Sequence, residues 1–192
     1  MKERNQILKY LEENNVEHKE TLKEFINSQS EIYLRSNLIG HITGSAFIIN
    51  NEMDKALLIL HKKYNKWLAP GGHTDEGETA RMSSERESEE EVGLNKLDVI
   101  TPEIFDIDIH RIPESNKNGV HEPEHWHFDI RYIYKAQVDA IVDINLFEAK
   151  GFEWNKLSEL SKVSDPSVKR MADKAILLVD NLKPKVKVKF KT

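Results

Sequence analysis

The chain has 192 residues, 39% hydrophobic and 32% charged, an ordinary composition for a globular protein with ample length for one core. A formal net charge of -5 argues against indiscriminate nucleic-acid binding, which needs a basic surface, so no stable nucleic-acid partner is expected. Cysteine is absent, which removes disulfides and a thiol nucleophile and is compatible with a reducing compartment.

The segment from Met1 to Asn15 is charged throughout and does not read as a signal peptide. The longest apolar runs, such as Ala56 to Leu60, fall far short of the roughly 20 residues that span a bilayer. A cytoplasmic location without a membrane partner is the expectation. Glu3 to Glu13 sets Ile7, Leu8 and Leu11 at helical spacing, and Lys19 to Ser28 does the same with Leu22, Phe25 and Ile26. These two amphipathic helices are expected to pack on the domain, with a homodimer contact or a substrate lid as the other uses.

Strands follow. His41 to Asn50 and Lys55 to His61 carry β-branched and aliphatic runs around the turn-like Asn51-Glu52-Met53-Asp54, a hairpin pattern. Leu97 to Ile112 and His125 to Ala136 read as two more strands. In the first, Phe105, Ile107 and Ile109 alternate with Asp106, Asp108 and His110; in the second, Trp126, Phe128, Ile130 and Tyr132 alternate with His125, His127, Asp129 and Arg131. Each strand therefore has one apolar face and one face of ionisable residues. The intervening loop adds His121, Glu122 and Glu124. Together these form a candidate wall for contacting phosphate or completing a metal site, or else a hydrated sheet face in which His127 and Asp129 satisfy one another.

Farther on, Gly151 to Trp154 is strand-like, Leu157 to Ser161 offers a helical turn, and Pro166 to Asn181 reads as a helix with Asp165 as N-cap and Pro166 at its first position. The tail Lys183 to Thr192 alternates Lys with Val, Pro and Phe, as an edge strand or a basic end.

Between the hairpin and the second pair of strands lies the chemistry. Gly72, Glu78, Arg86, Glu87, Glu90, Glu91, Gly93 and Leu94 are spaced G-x5-E-x7-R-E-x-x-E-E-x-G-L. Thr79 to Val92 lacks Gly and Pro and stops at Gly93, which predicts a helix with a left-handed C-terminal stop. On that helix Glu87, Glu90 and Glu91 share one face. Two like charges about 4 Å apart at an effective dielectric of ~20 repel by roughly 4 kcal/mol, so a cation is expected among them. Carboxylates without Cys suit Mg2+ or Mn2+, and such ions keep open positions for substrate phosphates. Arg86 is expected to grip Glu78 in a bidentate ion pair, tying loop to helix. Pro70, Gly71 and Gly72 allow a tight backbone with a bare carbonyl near the ion, making Gly72 a candidate ligand beside the carboxylates.

This segment resembles the signature box of the Nudix hydrolases, and WLAPGGH, from Trp67 to His73, resembles the strand and turn that lead into it. The resemblance implies an α/β (α+β) fold, a Nudix-like α/β/α sandwich with a mixed sheet, here with an N-terminal helical extension. One domain over 1–192 is expected: N-terminal helices in 1–35, the catalytic core in 36–150, and C-terminal helices with the basic tail in 151–192. The implied activity is hydrolysis of a diphosphate linkage in a nucleoside diphosphate joined to another moiety, so the expected partner is a small nucleotide-like diphosphate. Carried over residue by residue, Glu87, Glu90 and Glu91 become metal ligands, Glu87 also a candidate base, and Glu78 and Arg86 braces. Glu122 and Glu124 are rival bases outside the box. Ser88 departs from the pattern, which usually has an aliphatic residue there.

The stretches DIDIHRIP and EPEHWHFDIRY resemble a bacterial Nudix subgroup, which draws His110, Glu122 and His127 into the set of candidate substrate contacts, with His73 at the end of WLAPGGH also in that set. Neither the downstream Pro that marks ADP-ribose hydrolases nor the upstream signature of coenzyme A hydrolases is present, and the lack of cysteine counts against an isopentenyl diphosphate isomerase. The competing reading from another class is a nucleotide-metabolite sensor or interaction module that binds without hydrolysis; a degenerate box would mark it, and this box keeps its carboxylates and its Arg.

Overall fold

A computed structural model describes residues 2–117, 120–137, 140–160, 162 and 165–182. Its helices are α1 (Lys2–Glu13), α2 (Lys19–Ser28), α3 (Ala80–Val92), α4 (Leu157–Leu160) and α5 (Pro166–Leu182). Its strands are β1 (Gly40–Ile49), β2 (Lys55–His61), β3 (Lys66–Leu68), β4 (Gly71–His73), β5 (Leu97–Val99), β6 (Asp106–Ile112), β7 (Ser115–Lys117), β8 (Val120–Glu122), β9 (His125–Ala136) and β10 (Ala149–Lys156). The main sheet runs β10-β2-β1-β9-β5, with β3 on β2, β4 on β1 and β6 on β9. β1 and β9 are parallel and the other pairs antiparallel, so the sheet is mixed. The fold class is α/β, with helices on both faces of that sheet.

Side-chain alternation divides the sheet into two faces. On one, Ile42, Ala46 and Ile48 of β1 meet Phe128, Ile130 and Tyr132 of β9 and the buried faces of α1 and α2. Ile7, Leu11, Leu22 and Ile26 are fully buried there, each stabilising by about 1.5–3 kcal/mol, and Phe25 stacks on Phe128 at 4.7 Å. The N-terminal helices are thus part of the core. On the other face Phe47, Ile49 and Ile133 lie under Leu157, Leu160 and the apolar side of α5. Farther along β1 and β9 the same face turns polar.

The long strand expected over Leu97 to Ile112 is instead two, β5 and β6, separate segments that both pair with β9. Pro102 interrupts it, because it has no N–H for the ladder. The hairpin turn is held by Asn50 Oδ1, which accepts from the backbone N–H of Asp54 and Lys55 at 3.0 and 2.9 Å. Asp165 caps α5 by accepting from the N–H of Ser167 and Val168. The basic tail 183–192 and the loop residues Asn118 and Gly119 lie outside the described residues. Among the described residues no helix is long and apolar enough to cross a membrane.

Candidate active site

α3 is fastened at both ends. Thr79 Oγ1 accepts from the N–H of Met82 at 3.3 Å, and Gly93, at φ +71, closes the C-terminus by donating to Glu89 O at 3.0 Å. Glu3 of α1, buried, adds a second N-terminal device that no local pattern announces. Its carboxylate accepts from the N–H of Ala80 (2.9 Å) and Arg81 (3.1 Å) and from the hydroxyls of Tyr132 (2.6 Å) and Tyr33 (2.8 Å). A negative charge at a helix N-terminus is favoured by unpaired N–H groups and the helix dipole. Burial and this charge hold both phenols above the usual tyrosine range. Ser88 is fully buried on α3, and its hydroxyl bonds back to Ser84 O at 2.7 Å, satisfying the polar group where an aliphatic side chain was the usual pattern.

Arg86 organises one side of the box. Nε and Nη2 grip Glu78 Oε1 and Oε2 at 3.0 and 3.1 Å, Nη1 reaches Glu87 Oε1 and Glu90 Oε2 at 3.0 Å each, and Nη2 also donates to His73 O at 2.7 Å. The paired hydrogen bond from Arg86 keeps the Glu78 carboxyl below the usual range.

On the other side, oxygens of Glu87, Glu91 and Glu148 lie within 4.8 Å of one another. Glu91, 1% exposed, accepts from Gly71 N–H at 2.9 Å. Burial, opposed in part by Arg86, pushes the Glu87 carboxyl up to about 7. Burial again, with the neighbouring glutamates, pushes Glu91 up to about 8. Glu90, by contrast, is half exposed and held by Arg86, outside this converging set. Gly72 makes the packing feasible: a Cβ there would sit 2.3 Å from Glu87 Oε1. Its carbonyl receives a long contact of 3.4 Å from Ser83 Oγ.

Glu148 carries no local sequence signal. Bonds from Asp143 N–H to Val92 O (2.9 Å) and from Asn145 N–H to Glu91 O (2.8 Å) tie its loop to the end of α3. Three converging acidic side chains, two of them buried carboxyls raised above their usual range, fit a hard divalent ion such as Mg2+ or Mn2+.

The polar sheet face is built in rungs. Paired residues place His110, His127 and His41 on one rung, Asp108, Asp129, Thr43 and His73 on the next, and Asp106, Arg131, Ser45 and Gly71 on the third. It is not a hydrated surface, since Asp106, Asp129 and Arg131 are at most 7% exposed. Asp129 accepts from Thr43, Ser45 and Arg131, so it does not pair with His127. Burial would raise Asp106 and Asp108, but Arg131 and Arg170, with Lys174 at Asp106 and His110 at Asp108, outweigh it and hold both low.

His73, His110 and His127 of the candidate set do come together, with His125 of the expected polar face beside them and His41 joining unforeseen. Ring centroids of His73 and His127 are 5.1 Å apart, those of His110 and His127 5.7 Å, and His110 bonds to Asp108 at 3.0 Å. Burial lowers His41 and His73 to about 4 and His127 farther, with neighbouring imidazoles adding to the effect. Near pH 7 these rings are neutral and offer lone pairs or N–H groups. Glu122 lies near enough for its charge to act on His41 and His73 while it pairs with Arg35 at 3.0 Å; Glu124 pairs with Arg111, and His121 is exposed. The alternation His41, Thr43, Ser45 in an otherwise apolar strand is the signal that could have revealed His41.

A mixed sheet flanked by helices thus carries a capped helix loaded with converging carboxylates, an arrangement suited to a divalent cation and a phosphate compound. Residues 41–175 match the NUDIX domain, and the chain belongs to the Nudix hydrolases, generally metal-dependent pyrophosphohydrolases of nucleoside diphosphate derivatives. It is a diphosphate hydrolase of that type. Among solved structures it resembles a NUDIX-family hydrolase from Clostridium perfringens, with 26% identity, TM-score 0.51, and cover of 72% of this chain and 97% of that one. It also resembles in fold the C. elegans Ap4A hydrolase (17%, TM-score 0.53, 73% and 98%) and the E. coli dihydroneopterin triphosphate pyrophosphohydrolase (15%, TM-score 0.52, 71% and 94%). No curated protein gives a significant sequence match.

Proposed function

We propose that the protein cleaves the diphosphate linkage of a nucleoside diphosphate joined to another moiety, with Mg2+ or Mn2+ held by Glu87 and Glu91, assisted by Glu90 and the Gly72 carbonyl. The observation that carries this reading is the convergence of Glu87, Glu91 and Glu148 on one point beside a glycine that makes room for them. When bound, the ion neutralises phosphate charge and lowers the pKa of attacking water. Arg86 fixes Glu87 from one side while Gly71 N–H fixes Glu91 from the other, so both carboxylates are oriented before substrate arrives. Glu87, held by Arg86 Nη1 at 3.0 Å, then serves as proton acceptor for that water. Glu148, exposed at the rim, joins Glu122 and Glu124 as a rival for that role. His73, His110, His127 and Glu122 are proposed contacts for the rest of the substrate.

The test is a panel of nucleoside diphosphate derivatives incubated with Mg2+ or Mn2+, with products separated by chromatography. Cleavage that falls by orders of magnitude in Glu91→Gln, with unchanged circular dichroism, is expected. Retained turnover of that variant in Mg2+ would refute the ligand assignment, and metal binding without cleavage of any compound would favour a binding module.

A further inference from the structure

On the sheet face opposite α3, His41, His73 and His127 each present a ring nitrogen, and the three atoms lie within 4.8 Å of one another. β1, β4 and β9 each supply one. Their placement follows from register: His41 pairs directly with His127, while His73 pairs with Thr43, two residues from His41 and therefore on the same face. The Nε2 atoms of His41 and His127 are 3.1 Å apart. Two imidazoles bound tetrahedrally at about 2.0–2.1 Å place their nitrogens about 3.3 Å apart, so little movement separates this arrangement from a coordination geometry.

A fourth ring strengthens the case independently. His125 is 5% exposed, lies 5.0 Å from His41 and 5.2 Å from His127 between centroids, and its Nδ1 bonds to Pro123 O at 2.8 Å. Because a carbonyl only accepts, that bond puts the proton on Nδ1 and leaves Nε2 as a bare lone pair. Among the described residues that Nε2, like Nδ1 of His41, is buried with no hydrogen-bond partner.

We propose that His41, His73 and His127 form a second metal site, for a borderline transition ion of the Zn2+ class, distinct from the carboxylate cluster. Neutral nitrogen donors select such ions and discriminate against Mg2+. Three histidines leave a fourth position, open to water or to an anionic oxygen. This inference does not depend on the hydrolytic assignment, because its readout is coordination and not turnover.

The experiment uses the full chain, stripped with chelator and held in excess Mg2+ to saturate carboxylates, then titrated with Co2+. One equivalent should produce the intense visible absorption of a four-coordinate, nitrogen-ligated ion. His73→Gln and His127→Gln should each weaken uptake at least about a hundredfold and remove the band, since even outer-shell losses cost 10–100-fold, while Glu91→Gln should keep it. X-ray absorption of the Zn2+-loaded wild-type protein should show imidazole nitrogen neighbours, a measurement that needs no folded variant. A weak octahedral spectrum alone, a band that persists in both histidine variants, a band lost only in Glu91→Gln, or an oxygen-only shell around zinc would overturn the proposal.

Discussion

Substituting Gly72 by Ala isolates geometry from chemistry. The added methyl would lie 2.3 Å from Oε1, 2.6 Å from Cδ and 3.1 Å from Oε2 of Glu87. Real Cβ contacts essentially never fall below 3.0 Å, so the carboxylate must retreat by at least about 0.7 Å, and it is the flexible end of a side chain that moves. Stability should therefore change little. Gly72 has no left-handed backbone to lose, and alanine at a compatible site gains about 0.4–1 kcal/mol by restricting the unfolded chain. Catalysis should suffer much more, because a misplacement near 1 Å costs on the order of 100-fold. We expect kcat in Mg2+ to fall ten- to hundredfold, about 1.4–2.7 kcal/mol of barrier, with a melting temperature within a few degrees of wild type. The assay is steady-state product release paired with a thermal melt. Full activity in a folded Gly72→Ala protein would refute the placement of Glu87 at the reacting centre.

Two further outcomes follow from the same contacts. Glu3→Ala should lower the unfolding free energy by about 3 kcal/mol in a denaturant titration, since two helix N–H groups and two buried phenols lose their acceptor; a change under about 0.5 kcal/mol would show that the Glu3 bridge contributes nothing. In chelator, Glu87 and Glu91 titrate near about 7 and 8 and not at the ordinary 4.5. A carboxyl raised by folding binds more protons in the folded state, so its contribution is complete below about pH 4.5 and is lost as pH rises through 7 to 8. Melting temperature without metal should fall across that window, and Mg2+ should raise it more at about pH 8.5 than at about pH 5.5. A pH-independent Mg2+ effect would contradict the crowded-carboxylate account.

Local spacing made α3 readable because helix periodicity is a property of neighbours: Thr79, Gly93 and the shared face of Glu87 and Glu91 all follow from intervals of one turn. The ends of α2, β2 and β9 were legible for the same reason, through amphipathic or alternating runs bounded by polar turns. Register between distant strands was not, because nothing in β1 alone states that it will lie parallel to β9, and so His41 entered the histidine cluster unannounced. Glu148 and Glu3 were hidden likewise, one brought by backbone bonds to the end of α3 and the other carried across the fold by α1. Pro102 shows the opposite case, a visible breaker overridden in the reading by a long alternating pattern that the backbone could not sustain.

The three residues of β4 explain why the box and the histidines occur together. Gly71 donates its N–H to Glu91, Gly72 faces Glu87, and His73 gives its carbonyl to Arg86 while its ring joins His41 and His127 on the other side. A slip of β4 by one residue along β1 would bring the imidazole of His73 against Glu87, where even a methyl forces the carboxylate aside, and would empty the histidine cluster of one member. Sterics on one face and ring packing on the other thus select the same register. The carboxylates that would bind an ion on the α3 side are held in place by the strand that also presents the histidines opposite.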